Sequence, residues 1–378
     1  MNLYISTTAR SLAAMLIVIL AGSLMFSQRP HVPDSGHRPL PPTYPAQSPH
    51  APIVIESNAD FESQGWPGSG SQANPYRISD LEIDSMVNGA CINISNTDVH
   101  FVIQGCTFPH EGYSEGDIAL NSVQNGLVIS CVFETAPIAV RLGLCSSISL
   151  ETLNLTSSVL LIESSSDILV AYCDIEWAPG DGIWADSSDL LEITGNTVSG
   201  SAASGVVLED TDNSLVFSNI LRDNTDHELI FSGSSQGNTV YANRFQGESG
   251  SLAYDEGNDN SWDNGEGIGN YWSDYLGSGF YYVDGPAGSI DHFPTGPSST
   301  TTTGTTTTTP GNTTTTTTTS TNTTKETIYT TLQTYIPLDP ELRGMLVGTF
   351  SALLIGTAMI VILLVVRSRR AIDMTQAT

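Results

Sequence analysis

Basic residues are scarce in this chain. Twelve Lys and Arg stand against 40 Asp and Glu in 378 residues, and Lys325 is the sole lysine. Residues 51–297 hold 35 acidic residues and four arginines, Arg77, Arg141, Arg222 and Arg244. A body of that sign repels a phosphate backbone, which excludes nucleic-acid binding through a basic face. Cysteines are five, an odd number without a Cys-x-x-Cys pair, which excludes a disulfide framework and the usual zinc spacing. The body also lacks any stretch with the period of an ordinary helix. Histidine contributes only His100, His110 and His227 to the repeats described below, and Met86 is the only methionine in residues 51–297.

The two ends are organised differently from the body. Arg10 precedes an apolar run at residues 12–26, with small residues at Ala21, Gly22 and Ser23. Residues 1–27 therefore read as a signal peptide or a signal anchor, alternatives that a run of about 15 residues leaves open. Residues 28–52 form a Pro-rich linker with no apolar periodicity. Residues 298–330 form a Thr-rich stalk of the composition that carries O-linked glycans, with N-glycosylation sequons at Asn312 and Asn322. Fully extended, its first 27 residues would reach ~80 Å at ~3.1 Å per residue. Residues 344–366 are free of charge, and as an α-helix they would span ~34 Å, enough for one transmembrane pass. Arg367, Arg369 and Arg370 follow at once, which places residues 367–378 in the cytoplasm and the acidic body outside. The expected location is the cell membrane, single-pass, with the body extracellular.

Between those ends the chain repeats a unit of 20–25 residues, aligned on Cys106, Cys131, Leu153, Cys173, Asn196, Asn219 and Asn243. Three residues before each anchor stand Ile103, Val128, Leu150, Val170, Ile193, Val216 and Val240. Two residues after stand Phe108, Phe133, Leu155, Ile175, Val198, Leu221 and Phe245. An apolar column persists thirteen residues upstream, from Ile118 to Ile230, and another eleven upstream, failing only at Ser232; the first coil joins them at Ile92 and Ile94 after a one-residue shift. Three short segments of period two per unit, separated by Ser, Asp, Asn and Gly, predict an all-β fold. A unit of this size cannot bury its own apolar face, so the units must stack at ~4.8 Å per coil, as a parallel β-helix over residues 53–297. Inward Asn side chains can bond to one another along the axis, and Cys106, Cys131 and Cys173 fill the same column as small buried thiols. Asn93 and Asn154, both in sequons, fall between inward apolar residues and should face outward as glycosylation sites.

Residues 53–294 resemble the NosD-type parallel β-helix proteins, in the membrane-anchored surface form found in archaea. The resemblance is carried by the opening block PIVIESNADFESQGWPGSGSQANPYRISDLEID, the coil start CINISNTDVHFVIQGCTF, and the closing block GNDNSWDNGEGIGNYWSDY followed by DHFP. It implies a right-handed solenoid and an association with carbohydrate. The copper role in the family name fits the residues poorly, because copper sites gather thioether, imidazole or thiolate ligands and these are scattered here.

Candidate chemistry rests on carboxylates and tryptophans. Asp174, Glu176, Asp181 and Asp186 lie close in sequence to Trp177 and Trp184, which can stack on sugar rings; hydrolysis would need two such carboxyl groups across the scissile bond. The Gly-His-Gly and Arg-x-Lys elements of polygalacturonase-like helices are absent. The alignment also stacks Glu163, Asp186 and Glu209 in one column and Asp167, Asp189 and Asp212 near another, and repulsion at ~5 Å would be relieved by calcium or by splaying into solvent. The loop DEGNDNSWDNGEG lacks EF-hand spacing and reads as a cap in which Trp262, Tyr271, Trp272 and Tyr275 cover the last coil. The functional expectation is a surface protein with a binding, adhesive or structural role, carbohydrate-associated by its resemblance. Its alternatives are an anchored polysaccharide hydrolase or lyase and, more remotely, copper handling.

Overall fold

The computed structural model describes residues 47–109, 116–247 and 251–297, and the backbone of 303–308 and 314–319. The expected signal segment, most of the linker, the membrane-spanning run and tail, Asn312, Asn322 and His110 lie outside the described residues. Among the described residues no helix is long and apolar enough to cross a membrane.

One coil shows how the repeat folds. Val159–Glu163, Ser166–Ala171 and Asp174–Glu176 are three short strands separated by tight corners. Each bonds in parallel to its counterpart one coil on: Ile183–Asp186, Asp189–Thr194 and Thr197–Ser199. These stacks form a first, a second and a third sheet. The third runs through ten strands, from Ser48–Pro49 to Tyr271–Trp272, while Ile118–Ile129 spans the first two and joins them. The fold is an all-β parallel solenoid. It reaches slightly further toward the N-terminus than the apolar register suggests, since Ser48–Pro49 pairs with Leu81–Glu82.

Period two decides which side chains enter the core. Val128, Leu150, Val170, Ile193, Val216 and Val240 stack in register along the second sheet, each fully buried. Phe133, Leu155, Ile175, Val198, Leu221 and Phe245 do so along the third. In the first sheet, Ile92 pairs with Ile118 and Ile94 with Leu120, as the shifted alignment requires. At the other end the expected inward Ile230 is only half-buried; Leu229 and Phe231 turn inward instead, paired with Val206 and Leu208. That coil holds one residue more between Phe231 and Val240 than its neighbour holds between Leu208 and Val216. Counting back from Asn243 therefore falls one residue short, and period two moves every first-sheet side chain to the opposite face.

The corners are columns of left-handed backbone. Ser130, Thr152, Tyr172, Gly195, Ser218 and Ala242, at equivalent places in successive coils, all have φ between 51° and 67°. Thr135, Ser157, Trp177, Gly200 and Asp223 form a second such column, with φ between 54° and 68°. Each non-glycine residue there gives up about 1–2 kcal/mol of backbone preference. The corners persist because the strands on both sides are held in register by the coils above and below.

Inside, polar ladders run along the axis. The backbone N–H of Cys173 donates to Asn196 Oδ1 (2.8 Å), that of Asn196 to Asn219 Oδ1 (2.9 Å), that of Asn219 to Asn243 Oδ1 (3.0 Å) and that of Asn243 to Asn270 Oδ1 (3.0 Å). The amide Nδ2 groups of Asn196, Asn219 and Asn243 donate in the same direction, at 2.9–3.0 Å. Every step points a donor toward the C-terminal end, so the last member must be a pure acceptor. Asp291 fills that place: its buried carboxylate accepts the Asn270 N–H (2.7 Å) and the Trp272 indole N–H (2.8 Å). A second ladder, Ser214 to Asn238 to Asn260, ends at buried Asp255, which also accepts the Trp262 indole N–H. A third, Ser201 to Asn224, ends at buried Glu228. The five thiols are buried in the core, and Cys106, Cys131 and Cys173 precede the Asn column with Sγ directed at carbonyls of the coil below.

Aromatic residues close both ends. Trp262 and Trp272 are fully buried over Phe245, whose ring lies 4.5 Å from that of Trp272, and Tyr281 stacks on Trp272 at 3.8 Å. The expected cap is thus present, although Tyr271 serves as a third-sheet strand residue. At the N-terminal end the short helix Asn58–Ser63 lays Phe61 against Tyr76 and Phe101. In the threonine tract, Thr303–Thr308 and Thr314–Thr319 pair antiparallel, as β-branched side chains favour.

Two measurements test the ladders. Asn219→Leu leaves two Asn196 donors without their acceptor, and urea unfolding should show a loss of about 2–6 kcal/mol at ~1–3 kcal/mol per stranded group. Burial raises the Glu228 carboxyl from 4.5 to about 7, so the folded state holds this proton more tightly than the unfolded chain. Its stabilising contribution is complete below about pH 4.5 and is lost as pH rises to about 7. The stability difference between wild type and Glu228→Gln should shift by about 3 kcal/mol across that window, and a constant difference would remove Glu228 as the source.

Candidate functional site

The coil that carries most of the sequence candidates differs from its neighbours at its corners. Tyr172 and Trp177 occupy the two left-handed positions that flank Asp174–Glu176, where other coils place Ser, Thr, Gly, Ala or Asp. A left-handed corner projects its side chain away from the core, so Tyr172 remains 59% and Trp177 65% exposed. Both rings lean over the following coil, where the same corners are glycines. A Cβ at Gly195 would stand 2.7 Å from the Tyr172 ring, and one at Gly200 2.7 Å from the six-membered ring of Trp177. The spacing of five residues recurs in both pairs, and the two platforms lie about 15 Å apart along the third sheet at ~3.3 Å per residue.

Between the rings lies a polar floor. Asp174 points outward and is exposed, Ile175 points inward, and Glu176 points outward and is half-buried. Thr197 and Ser199 continue these rows on the next coil, and Arg222 follows Ser199. Partial burial raises the Asp174 carboxyl above the ordinary range, Glu176 adds to the rise, and Arg222 opposes it. The face offers two flat apolar rings, carboxylate acceptors and one guanidinium.

The remaining candidates are dispersed. Asp181 sits in the turn from the third to the first sheet, where its Oδ1 accepts the Ser204 N–H one coil on (2.8 Å); burial raises its carboxyl and Asp226 adds to the rise. Trp184, 37% exposed, and Asp186 lie on the outer face of the first sheet, so Trp184 and Trp177 stand on different sheets. Asp174 and Glu176 are neighbours on one strand. The four carboxylates are therefore spread over two sheets and a turn, with Asp174 and Glu176 alone sharing one outer face.

The acidic columns are partly as expected. Glu163, Asp186 and Glu209 stack in register on successive coils. Asp189 pairs with Asp212, but Asp167 stands one place out of that column, because Asp189 pairs with Ser166. Some of the charges have partners of their own: Arg141 Nε donates to Glu163 at 2.7 Å, Ser147 Oγ to Asp167 at 2.7 Å, and the Gln236 N–H to Asp212 at 2.9 Å. In the closing loop, Asp255 and Asp263 are occupied by backbone and side-chain donors of the cap. Among the described residues, no three His, Cys, Asp or Glu side chains are gathered to hold a metal ion.

Trp177 was legible from its aromatic character, whereas Tyr172 and the two glycines were not singled out. Their signal was the repeated five-residue spacing, which acquires meaning only once both positions are known to be left-handed corners.

Residues 69–277 match the family model described as periplasmic copper-binding protein (NosD). No curated protein matches the chain. Among solved structures, a mutant DFA-IIIase from Arthrobacter chlorophenolicus A6 in complex with DFA-III is 15% identical, with a TM-score of 0.44 over 67% of this chain and 74% of that one. The enzymatically active domain of tailspike protein 2 from bacteriophage CBA120 is 12% identical, with a TM-score of 0.42 over 66% and 47%. The A-module of the mannuronan C-5 epimerase AlgE6 from Azotobacter vinelandii is 12% identical, with a TM-score of 0.36 over 59% and 74%. The chain spans two-thirds or less of several of these proteins, 66% of one DFA-IIIase and 38% of the full-length tailspike. At such identities and TM-scores the likeness is one of coil type alone.

Among the described residues, the side chains present do not fit copper. All five thiols are buried in the core, and the described histidines His50, His100, His227 and His292 belong to no metal-binding cluster.

The platforms make a local prediction. At Gly200 a methyl group meets the indole and the backbone is left-handed (φ 68°), whereas Gly180 has open space around it. Gly200→Ala should cost about 1–2 kcal/mol and make Trp177 fluorescence more accessible to acrylamide. Gly180→Ala should leave both unchanged.

Proposed function

The chain belongs to the NosD family, and from that premise and its own outward residues we propose that it is a membrane-anchored surface protein whose solenoid binds carbohydrate. The observation that carries this reading is the pair of exposed rings, Tyr172 and Trp177, each backed by a glycine and separated by a polar floor. Sugar rings present apolar C–H faces that lie flat on aromatic rings, and hydroxyls that donate to carboxylates such as Asp174 and Glu176. A separation of about 15 Å suits an extended glycan of several units, contacted at two places with the hydroxyl-rich middle over the strand. Glycines beneath the rings hold them flat at little entropic cost on binding.

The anchor follows from the charge-free run at 344–366 and the arginines after it, which direct the solenoid outward. A binding or adhesive role is preferred because the exposed rings flank the strand on both sides, and hydrolysis or elimination at Asp174 and Glu176, which share its outer face, is the alternative.

Affinity for immobilised polysaccharides tests the reading on the full-length protein in detergent. Tyr172→Ala and Trp177→Ala should each weaken retention at least tenfold, about 1.4 kcal/mol, with unchanged thermal unfolding and no soluble products from the bound polymer. Unchanged retention in both variants would refute the site. Product release abolished in Asp174→Asn would replace binding with hydrolysis or elimination.

A further inference from the structure

The outer face of the first sheet holds a groove of about 430 Å³ that no part of the proposed binding face uses. It arises from two small residues on paired strands: Ala119 pairs with Arg141, and Gly143 pairs with Asn121, so the small side chains lie on a diagonal between larger ones. Its volume is in the ~300–1,000 Å³ range that accepts small molecules. Its walls include the amides of Asn93 and Asn121 and the ion pair Arg141–Glu163. A free anion would meet Glu163 and a free cation would meet Arg141. A neutral ring with several hydroxyls finds both donors and acceptors.

Asn93 is more than a wall. It begins the sequon Asn93-Ile94-Ser95, within the strand Ile92–Thr97. Ile94 is fully buried, so Asn93 and Ser95 share the outward face, next to Ala119 and Asn121 of the following coil. Asn154, in the other sequon of the coils, is exposed on the third sheet, away from this groove. We infer that the groove is the seat of the first sugars of an N-linked glycan on Asn93. Attachment joins Asn93 Nδ2 to the anomeric carbon of an activated glycosyl phosphate donor. The bond from that carbon to the phosphate oxygen breaks, the phosphate leaves with the electron pair, and the displaced Nδ2 proton passes to a base. The attached ring then lies over the Ala119–Gly143 diagonal, with its hydroxyls against Asn121, Arg141 and Glu163. This inference is independent of the third-sheet platforms.

The test uses the full chain purified from the membranes of cells that glycosylate it. Peptide mass spectrometry should find sugar increments on Asn93 that vanish in Ser95→Ala. Release of that glycan by a peptide-amide glycosidase under native conditions should be at least tenfold slower than in Gly143→Met, which fills the groove. Arg141→Gln, which leaves the floor intact, should speed release severalfold and covers the case in which Gly143→Met does not fold. An unmodified Asn93, or equal native release in wild type and both variants, overturns the inference.

Discussion

Everything in this molecule depends on the axial hydrogen bond. Each coil is too short to bury its own apolar face, and its corners adopt a backbone conformation that most residues avoid. Both costs are met only when the coil above and the coil below are present in register. The strands supply most of these bonds, as Val170 lying between Leu150 and Ile193 illustrates. The Asn and Ser columns supply the rest from inside, where Asn196, Asn219, Asn243 and Asn270 carry the same directed bond from coil to coil. Apolar stacking alone tolerates a slip of one coil. A directed ladder that must end on Asp291 does not.

That dependence explains what was legible in the sequence. Columns three before and two after each anchor were readable because inward side chains stack on their own kind, and the structure places them there. The column at minus thirteen was readable until a turn gained one residue, where Ile230 gave way to Leu229. Asp167 stands out of its column for a different reason: it precedes its anchor by six residues whereas Asp189 and Asp212 precede theirs by seven, and Ser166 holds the matching place. Counting from an anchor transmits every upstream insertion as an error of face. The handedness of the backbone at the corners is not encoded by hydrophobicity at all, since Ser130, Thr152 and Tyr172 share one conformation without sharing a side-chain type.

The proposed binding face was half visible. Trp177, Asp174 and Glu176 could be chosen for their chemistry, and they do share one strand and its corner. Trp184 and Asp186 appeared equally close in sequence but lie on another sheet, because a corner separates them. Tyr172 was hidden by its position beside an inward cysteine, in a place where neighbouring coils carry small residues. Gly195 and Gly200 became informative only through what leans on them. The proposed site sits at the departures from the repeat, whereas the repeat itself carries stability.

The acid-terminated ladders have a consequence for how such a protein can change length. Because donors point one way and finish on Asp255, Asp291 and Glu228, the C-terminal end presents no free ladder for another chain to extend. A coil added there would strand the carboxylates, but a coil inserted in the middle would receive donors from below and pass them on above. The ladders therefore permit lengthening by an inserted coil, in steps of about 4.8 Å, with both ends preserved. Its height is an adjustable spacer, set by the number of coils without redesign of either cap.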